Sequence, residues 1–439
     1  MRPTAESLDL PDDRLNARYA TIVDRLSEAP DRSFPEIFTD WAETKAAYRF
    51  FDNERVTHEA LIAGQRRATQ ERIEEADQTT MLYVQDTTGF SFQHHPATTG
   101  LGSMGSEESQ GFWVHSTLAV TPQGVPYGVV GQQVWVRDEP PSSEEASVPF
   151  QERESVKWVA DVTHPTPWQV IYVADREADS YPVMDHILAH QHDFLIRAHH
   201  DRHLATSETS IHDRIAQEPV QDHLSIEIPA SPTRAARTAR LAVRWTTVQI
   251  PAPAHSEVSS AALEVTYLDI QEVSPPGTVD EPIHWLLVTS CPLHTEADAR
   301  TLVRYYTYRW LIERFHYVLK SGCRLEDRQL RTRARLQRLL GVFSDVAWHL
   351  LWLTYQSRQT PEAPCTRILA RRQWQILYRI QHPDDALPNS PPTLHQAVGW
   401  IAQLGGFLAR TNDGEPGVKV LWRGWRRLQD MVKASKLSL

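Results

Sequence analysis

The sequence predicts an α/β chain: a core of strands and helices that carries a β-rich insertion and is flanked by N- and C-terminal helical regions. Three observations carry this expectation. Apolar residues recur at helical spacing up to about residue 78 and again beyond residue 331. From Met81 to His200 the period shortens to that of strands broken by turns, with helical runs between the later strands. A second β-patterned stretch, bounded by proline-rich segments, then fills 201–282. At 439 residues the chain is long enough for two to four domains. The expected division is 1–78 helical, 79–200 the first part of the core, 201–282 the insertion, 283–330 the second part of the core, and 331–439 helical.

In the first region DDRLNARYATIVDRLSEA and VTHEALIAGQRRATQERIEEA have helix-spaced apolar residues, with SFPEIFTDWAETKAAYRFFDN between them. Pro30 and Pro35 interrupt the first segments, and Thr57 can cap the third. Lys45, Arg49, Arg66, Arg67 and Arg72 form a basic component that can meet phosphates or serve as the solvated rim of a helical bundle. In the core, MLYVQDTTGFSF, GFWVHSTLAV and VPYGVVGQQVWVR are three strands, followed by an acidic loop from Asp138 to Ser147. SVKWVADVT suits a short helix, VIYVADREADS a buried strand and polar turn, YPVMDHILAHQ a helix, and DFLIRAHH a strand. Three strands, helix, strand, helix, strand is the order of a ribonuclease-H-like domain. Asp86 and Asp175 stand where apolar strands give way to polar turns, a common place for ligands in open sheets. The insertion contributes HLSIEIPA, RTARLAVRWTTVQI and ALEVTYLDIQEV, and HWLLVTS closes it.

Thr295 to Gly322 reads as one long helix, with Thr295 and Asp298 forming a capping box and Gly322 a stop. At about 100° per residue, Tyr308, Leu311, Ile312, Phe315, Val318 and Leu319 share the packing face. Tyr306, Arg309, Glu313 and Lys320 fall on the opposite side. On pattern alone that quartet is equally a solvated face with an Arg309–Glu313 pair. Beyond it RTRARLQRLLGVFSDVAWHLLWLTYQSR, PPTLHQAVGWIAQLGGFLART and LWRGWRRLQDMVKASK are helical. The basic-aromatic run from Trp422 to Arg427 can contact DNA or pack against a partner.

Composition narrows the function classes. No run of about 18 apolar residues exists, so no membrane span is expected, and the opening residues lack the apolar core of a signal peptide. Cys291, Cys323 and Cys365 are isolated and odd in number, which suits a reducing cytoplasm. Neither HExxH nor CxxC is present, which argues against a built-in zinc site. The net charge of −11 argues against a uniformly basic nucleic-acid binder and fits a salty cytoplasm. Any affinity for DNA then rests on local arginine clusters.

Asp86, Asp175 and Glu313 suggest a chemistry. Three carboxylates brought together repel one another, and divalent metal is the usual relief. Two Mg²⁺ ions would support an in-line phosphoryl transfer, with Tyr306, Arg309 and Lys320 holding phosphates near the scissile bond. Each residue is weak as a signal in isolation; the set is specific.

The spacing of Tyr306, Arg309, Glu313 and Lys320 resembles the signature of DDE transposases of the insertion-sequence-four family, bacterial cut-and-paste enzymes. The similarity extends to WAETKAAYRFFDN, QDTT at 85–88, GFWVHSTLAV, DREAD at 175–179, WLLVT at 285–289 and the C-terminal LGGFLARTNDGEPGVKVLWRGWRRLQDM. The resemblance implies that Asp86, Asp175 and Glu313 are the catalytic, metal-binding triad. Tyr306, Arg309 and Lys320 would manage the DNA end, and Trp285 would stack on a flipped base unless it is simply a core tryptophan. It further implies two Mg²⁺ ions with Mn²⁺ able to substitute, double-stranded transposon-end and target DNA as partners, a homodimer in the synaptic complex, and a cytoplasmic, nucleoid-associated protein. A hairpin route to excision belongs to the same expectation. The alternatives are a transposon-derived DNA-binding protein without turnover and a ribonuclease-H-like nuclease.

Overall fold

The computed structural model describes residues 4–38, 40–105, 109–137, 154–205, 209–228, 236–253, 262–277, 281–410 and 413–435. The acidic loop expected from Asp138 to Ser147 lies outside these residues.

Helices α1 (Asp13–Glu28), α2 (Phe34–Ile37), α3 (Trp41–Asp52) and α4 (His58–Glu75) open the chain. Asp12, Asp40 and Thr57 cap α1, α3 and α4, each accepting a first-turn N–H that has no partner within its helix. Strands β1 (Thr80–Ser91), β2 (Gly102–Ser103), β3 (Gln110–Val120) and β4 (Pro126–Trp135) follow. The helix expected in SVKWVADVT is only a 3₁₀ turn, Glu154–Trp158. Next come β5 (Gln169–Ala174), α5 (Tyr181–Ala189), β6 (Asp193–Arg197) and the short α6 (Ile211–Ala216). The alternating runs form β7 (Asp222–Ile228), β8 (Arg237–Ile250), β9 (Leu263–Glu272) and β10 (His284–Thr289). Helices α7 (Glu296–Thr307), α8 (Trp310–Tyr317), α9 (Arg333–Gln359), α10 (Arg371–Gln381), α11 (Leu394–Leu404) and α12 (Val418–Ala434) complete the chain.

These elements build two compact units, one from 1–78, 87–141 and 311–439, the other from 79–86 and 142–310. The second unit is a sheet. The first half of β1 pairs in parallel with β5, and β5 with β6. Then β10, β9, β8 and β7 continue antiparallel, so the insertion extends the core sheet through β10. Val170 to Ala174 are buried at every position, the mark of a strand covered on both faces.

In the first unit α4 lies across β4. Arg66 Nε donates to Val130 O (2.6 Å), Arg72 Nε to Tyr127 O (3.0 Å) and Thr69 Oγ1 to Val129 O (3.2 Å). The approach is so close that a Cβ on Gly128 would stand 1.9 Å from Thr69 Oγ1. Helix α9 is buried nearly all round, and its Asp345 accepts from Thr4 Oγ1 (2.7 Å) and Tyr19 Oη (3.1 Å). Further on, α11 and α12 cross at Gly405 and Gly424, where a Cβ on Gly424 would meet Ile401 O at 1.6 Å. The LGGF and WRGW motifs are therefore a packing device. Trp422 is buried, Trp425 Nε1 donates to Ser27 O (3.0 Å), and Arg426 pairs with Asp31. This run of aromatic and basic residues is largely engaged within its own unit.

Candidate active site

The two aspartates share one unit. β1 and β5 are in parallel register with Val84 opposite Val173, so Asp86, inside β1, and Asp175, just past the end of β5, both come two residues later. Strands in such a pair run about 4.8 Å apart, so the two residues stand at one level along the sheet. Gln85 Nε2 donates to Trp158 O (3.3 Å), which ties the QDTT strand to the 3₁₀ turn. Asp175 Oδ1 accepts from Glu177 N (2.9 Å) at the start of the polar turn. Asp179, further along that turn, is buried and accepts from His199 N (2.6 Å), His200 N (2.9 Å) and Arg202 Nη1 (2.6 Å). The turn bearing Asp175 is thus fixed to the end of β6.

Beside Asp175 the same unit gathers cations. Burial pushes the Tyr306 phenol up; Arg309 and Arg197 act against that rise, and Asp175 adds to it. Arg197, at the end of β6, is lowered by burial, with Tyr306 and Asp175 opposing the shift and Arg176 and Arg309 adding to it. The Arg309 guanidinium also lies 5.4 Å from the ring centre of the exposed Trp310. Trp285 on β10 is half-buried and stands edge-on to Tyr306. A carboxylate beside guanidinium groups, a phenol and an aromatic edge is a setting that can hold a nucleic-acid phosphate near an acid.

The helix expected from Thr295 to Gly322 is not continuous. The capping box forms, Thr295 with Asp298, but α7 ends at Thr307 and α8 begins at Trp310. A π turn then spans Val318–Gly322, with Cys323 N donating to Val318 O (2.7 Å). A wheel at constant pitch does not carry across two such interruptions. Tyr306, expected on an outward face, is buried, whereas Leu311, Ile312, Phe315, Val318 and Leu319 pack as expected. Glu313 and Lys320 belong to the first unit, on α8 and the π turn, with Lys320 Nζ 5.4 Å from the Phe90 ring centre.

Among the described residues no three His, Cys, Asp or Glu side chains are arranged as a metal site. The pair Asp86 and Asp175 still suits a hard divalent cation, since carboxylate oxygens are the donors Mg²⁺ prefers.

The basic residues of the N-terminal helices divide. Arg66 and Arg72 hold β4, Arg67 Nε donates to Ser7 O (3.0 Å), and burial lowers Arg72 to about 10. These arginines are structural. On α3, by contrast, Trp41 is 66% exposed and Tyr48 41% exposed, with Lys45 and Arg49 exposed beside them. Lys45 Nζ lies 5.2 Å from the Trp41 ring centre. Thr44, Ala47, Phe50 and Phe51 bury the other side.

Sequence reasoning passed over Arg197, Asp179, and Trp41 and Tyr48 as surface groups. Arg197 ends an apolar strand, the same signal that singled out the aspartates. Trp41, Lys45 and Tyr48 fall at i, i+4 and i+7, one helix face.

Three families match the chain in order: Transposase DNA-binding over residues 2–56, Transposase DDE domain over 151–342, and Transposase Tn5 dimerisation domain over 345–438. The second spans Asp175, Trp285, Tyr306, Arg309, Glu313 and Lys320, and the first contains α3. Such a domain set implies divalent metal, DNA and a second copy of the chain. No helix among the described residues is long and apolar enough to cross a membrane. The chain belongs to the DDE transposases of the Tn5 and insertion-sequence-four type, DNA-binding enzymes that cut and transfer DNA strands.

Proposed function

We propose that this transposase binds the inverted-repeat ends of its own element, excises the element through a hairpin intermediate and inserts it into target DNA. Asp86, Asp175 and Glu313 would hold two Mg²⁺ ions, with Mn²⁺ able to replace them. When bound, the ions supply activation of the attacking hydroxyl and stabilisation of the leaving oxygen. The observation that supports this reading is that Asp175 and Arg309 both act electrostatically on Arg197 and Tyr306, in the unit that also holds Asp86. In it Arg197 and Arg309 grip the phosphates flanking the scissile bond, and the buried Tyr306 orients the two guanidinium groups. Lys320 holds the end that must be kept. Trp285 receives a base that leaves the stack when the backbone bends sharply. The exposed Trp41, Lys45, Tyr48 and Arg49 face of α3 meets the end DNA, combining charge for phosphates with rings for apolar contact. Two copies, joined through the C-terminal helices, bring two ends together.

The test is a denaturing gel of an end-labelled duplex carrying the element's terminal repeat, incubated with Mg²⁺. A nicked strand, then a hairpin of twice the strand length, then a reopened end are expected in that order. Double-strand breaks without any hairpin would overturn the route.

A further inference from the structure

The insertion β7–β9 has no part in the chemistry above, yet both aromatic partners of the cluster rest on it. Helix α7, which carries Tyr306, is tied to the first residue of β7: Arg300 Nε donates to Asp222 Oδ2 (2.7 Å) and Arg300 Nη2 to Asp222 Oδ1 (2.7 Å). The Asp222 side chain is only 4% exposed and also accepts from His223 N (2.7 Å). The remaining polar ties of the first turn are local, Thr295 with Asp298 and Arg300 with Glu296 at 3.6 Å. The start of β10, from which Trp285 reaches Tyr306, is held from β9. Asp269 Oδ1 pairs with His284 Nε2 (2.8 Å), and Ile283 N donates to Glu272 Oε2 (3.1 Å). Glu272 is itself fixed by Arg237 of β8, whose Nη2 donates to Oε2 (2.9 Å).

We propose that the insertion is the support of the DNA-gripping cluster, and that Asp222 and Arg300 are positioning residues for Tyr306. The proposal rests on the reading of that cluster given above. Its physical basis is rotational. A bidentate guanidinium–carboxylate pair fixes orientation as well as distance, unlike a single contact between flexible side chains. Side-chain atoms lie about 6 Å from a helix axis, so turning α7 by about 10° moves them by about 1 Å. A misplacement of that size near reacting groups can slow a reaction about 100-fold. Arg300 precedes Tyr306 by six residues on one rigid helix, so the pair with Asp222 sets where the phenol stands.

The experiment is single-turnover cleavage of an end-labelled terminal-repeat duplex by the full chain. Arg300→Met, Asp222→Asn, Tyr306→Phe and the double variant Arg300→Met/Tyr306→Phe are compared, with duplex affinity and thermal melts measured alongside. Arg300→Met and Asp222→Asn are expected to cleave tenfold or more slowly while binding the duplex within twofold of the parent. A carboxylate cannot grip phosphate, so the Asp222 variant separates positioning from direct contact, and it carries the test if Arg300→Met fails to fold. The double variant should be no slower than the slower single one, because both changes remove the same placement. Rates that multiply, or a parental rate from both Arg300→Met and Asp222→Asn, would overturn the proposal while leaving the cluster intact. A parental rate from Tyr306→Phe would instead overturn the reading of the cluster on which it rests.

Discussion

The indole of Trp285 stands edge-on to the phenol of Tyr306, with ring centres 5.5 Å apart and planes at 64°. Tyr306 is buried, while Trp285 keeps part of its surface open. In the proposed route, the part of the indole that stays open is where a base that leaves the stack would rest.

Trp285→Ala is therefore expected to nick the first strand at close to the parental rate and to accumulate nicked DNA. Stacking on an aromatic side chain is worth about 1–3 kcal/mol per base, which corresponds to a loss of roughly 5- to 150-fold in the bent step. Arg309→Ala should be impaired in the same step and those after it. A time course on a denaturing gel separates the species. A parental hairpin yield from Trp285→Ala would return this residue to a purely structural role.

Much of this was legible in the sequence because strands and helices announce themselves through period. The three core strands and the β5–α5–β6 order follow from apolar spacing, and the Thr57 cap and the Thr295–Asp298 capping box from a Thr before a helix. Asp175 stands out as a carboxylate that follows an apolar strand; Asp86 is singled out on the same expectation, but β1 runs on to Ser91, so it stands inside a strand and not at a turn. The break after Thr307 was not, since YTYRW contains neither proline nor glycine and its apolar spacing continues smoothly. Arg197 joins the cluster only through the pairing of β6 with its neighbours, a relation no local pattern contains. Arg66, Arg67 and Arg72 are open to two readings, phosphate contact or a solvated rim, because sequence does not reveal that backbone carbonyls of β4 and the N-terminal segment receive them.

Lys45 and Arg49 on the exposed face of α3 predict a salt effect. In a titration of end-duplex affinity against salt, the slope should fall by about 0.9 for each phosphate that is no longer neutralised. Lys45→Ala with Arg49→Ala should thus lower it by about 2 and weaken binding at low salt. Arg72, whose guanidinium is buried and donates to Tyr127 O, should contribute nothing to that slope. An unchanged slope in the double variant would mean that this face does not meet DNA.

Acid should destabilise the fold through histidines held neutral. Burial, aided by Arg72, pulls His349 down to about 4, and burial with Lys320 pulls His316 down to about 3. In the unfolded chain both titrate near 6.5, so below that pH the unfolded state binds more protons. Stability is then fully present above about pH 6.5 and is lost as pH falls toward the folded values. Melting temperatures between pH 7 and 5 should drop less for His349→Gln than for the parent. Equal drops would show that His349 contributes nothing to the acid response.

The central claim is that Asp86, Asp175 and Glu313 act together in metal-dependent cleavage. Removing any one carboxylate should abolish the chemistry without removing the phosphate contacts that bind DNA. The most direct measurement is Mg²⁺-dependent cleavage of a labelled terminal-repeat duplex by Asp86→Ala, Asp175→Ala and Glu313→Ala, with duplex affinity measured in parallel. Affinity within a few-fold of the parent and no cleavage are expected from all three variants. Cleavage at the parental rate by Glu313→Ala would contradict the claim.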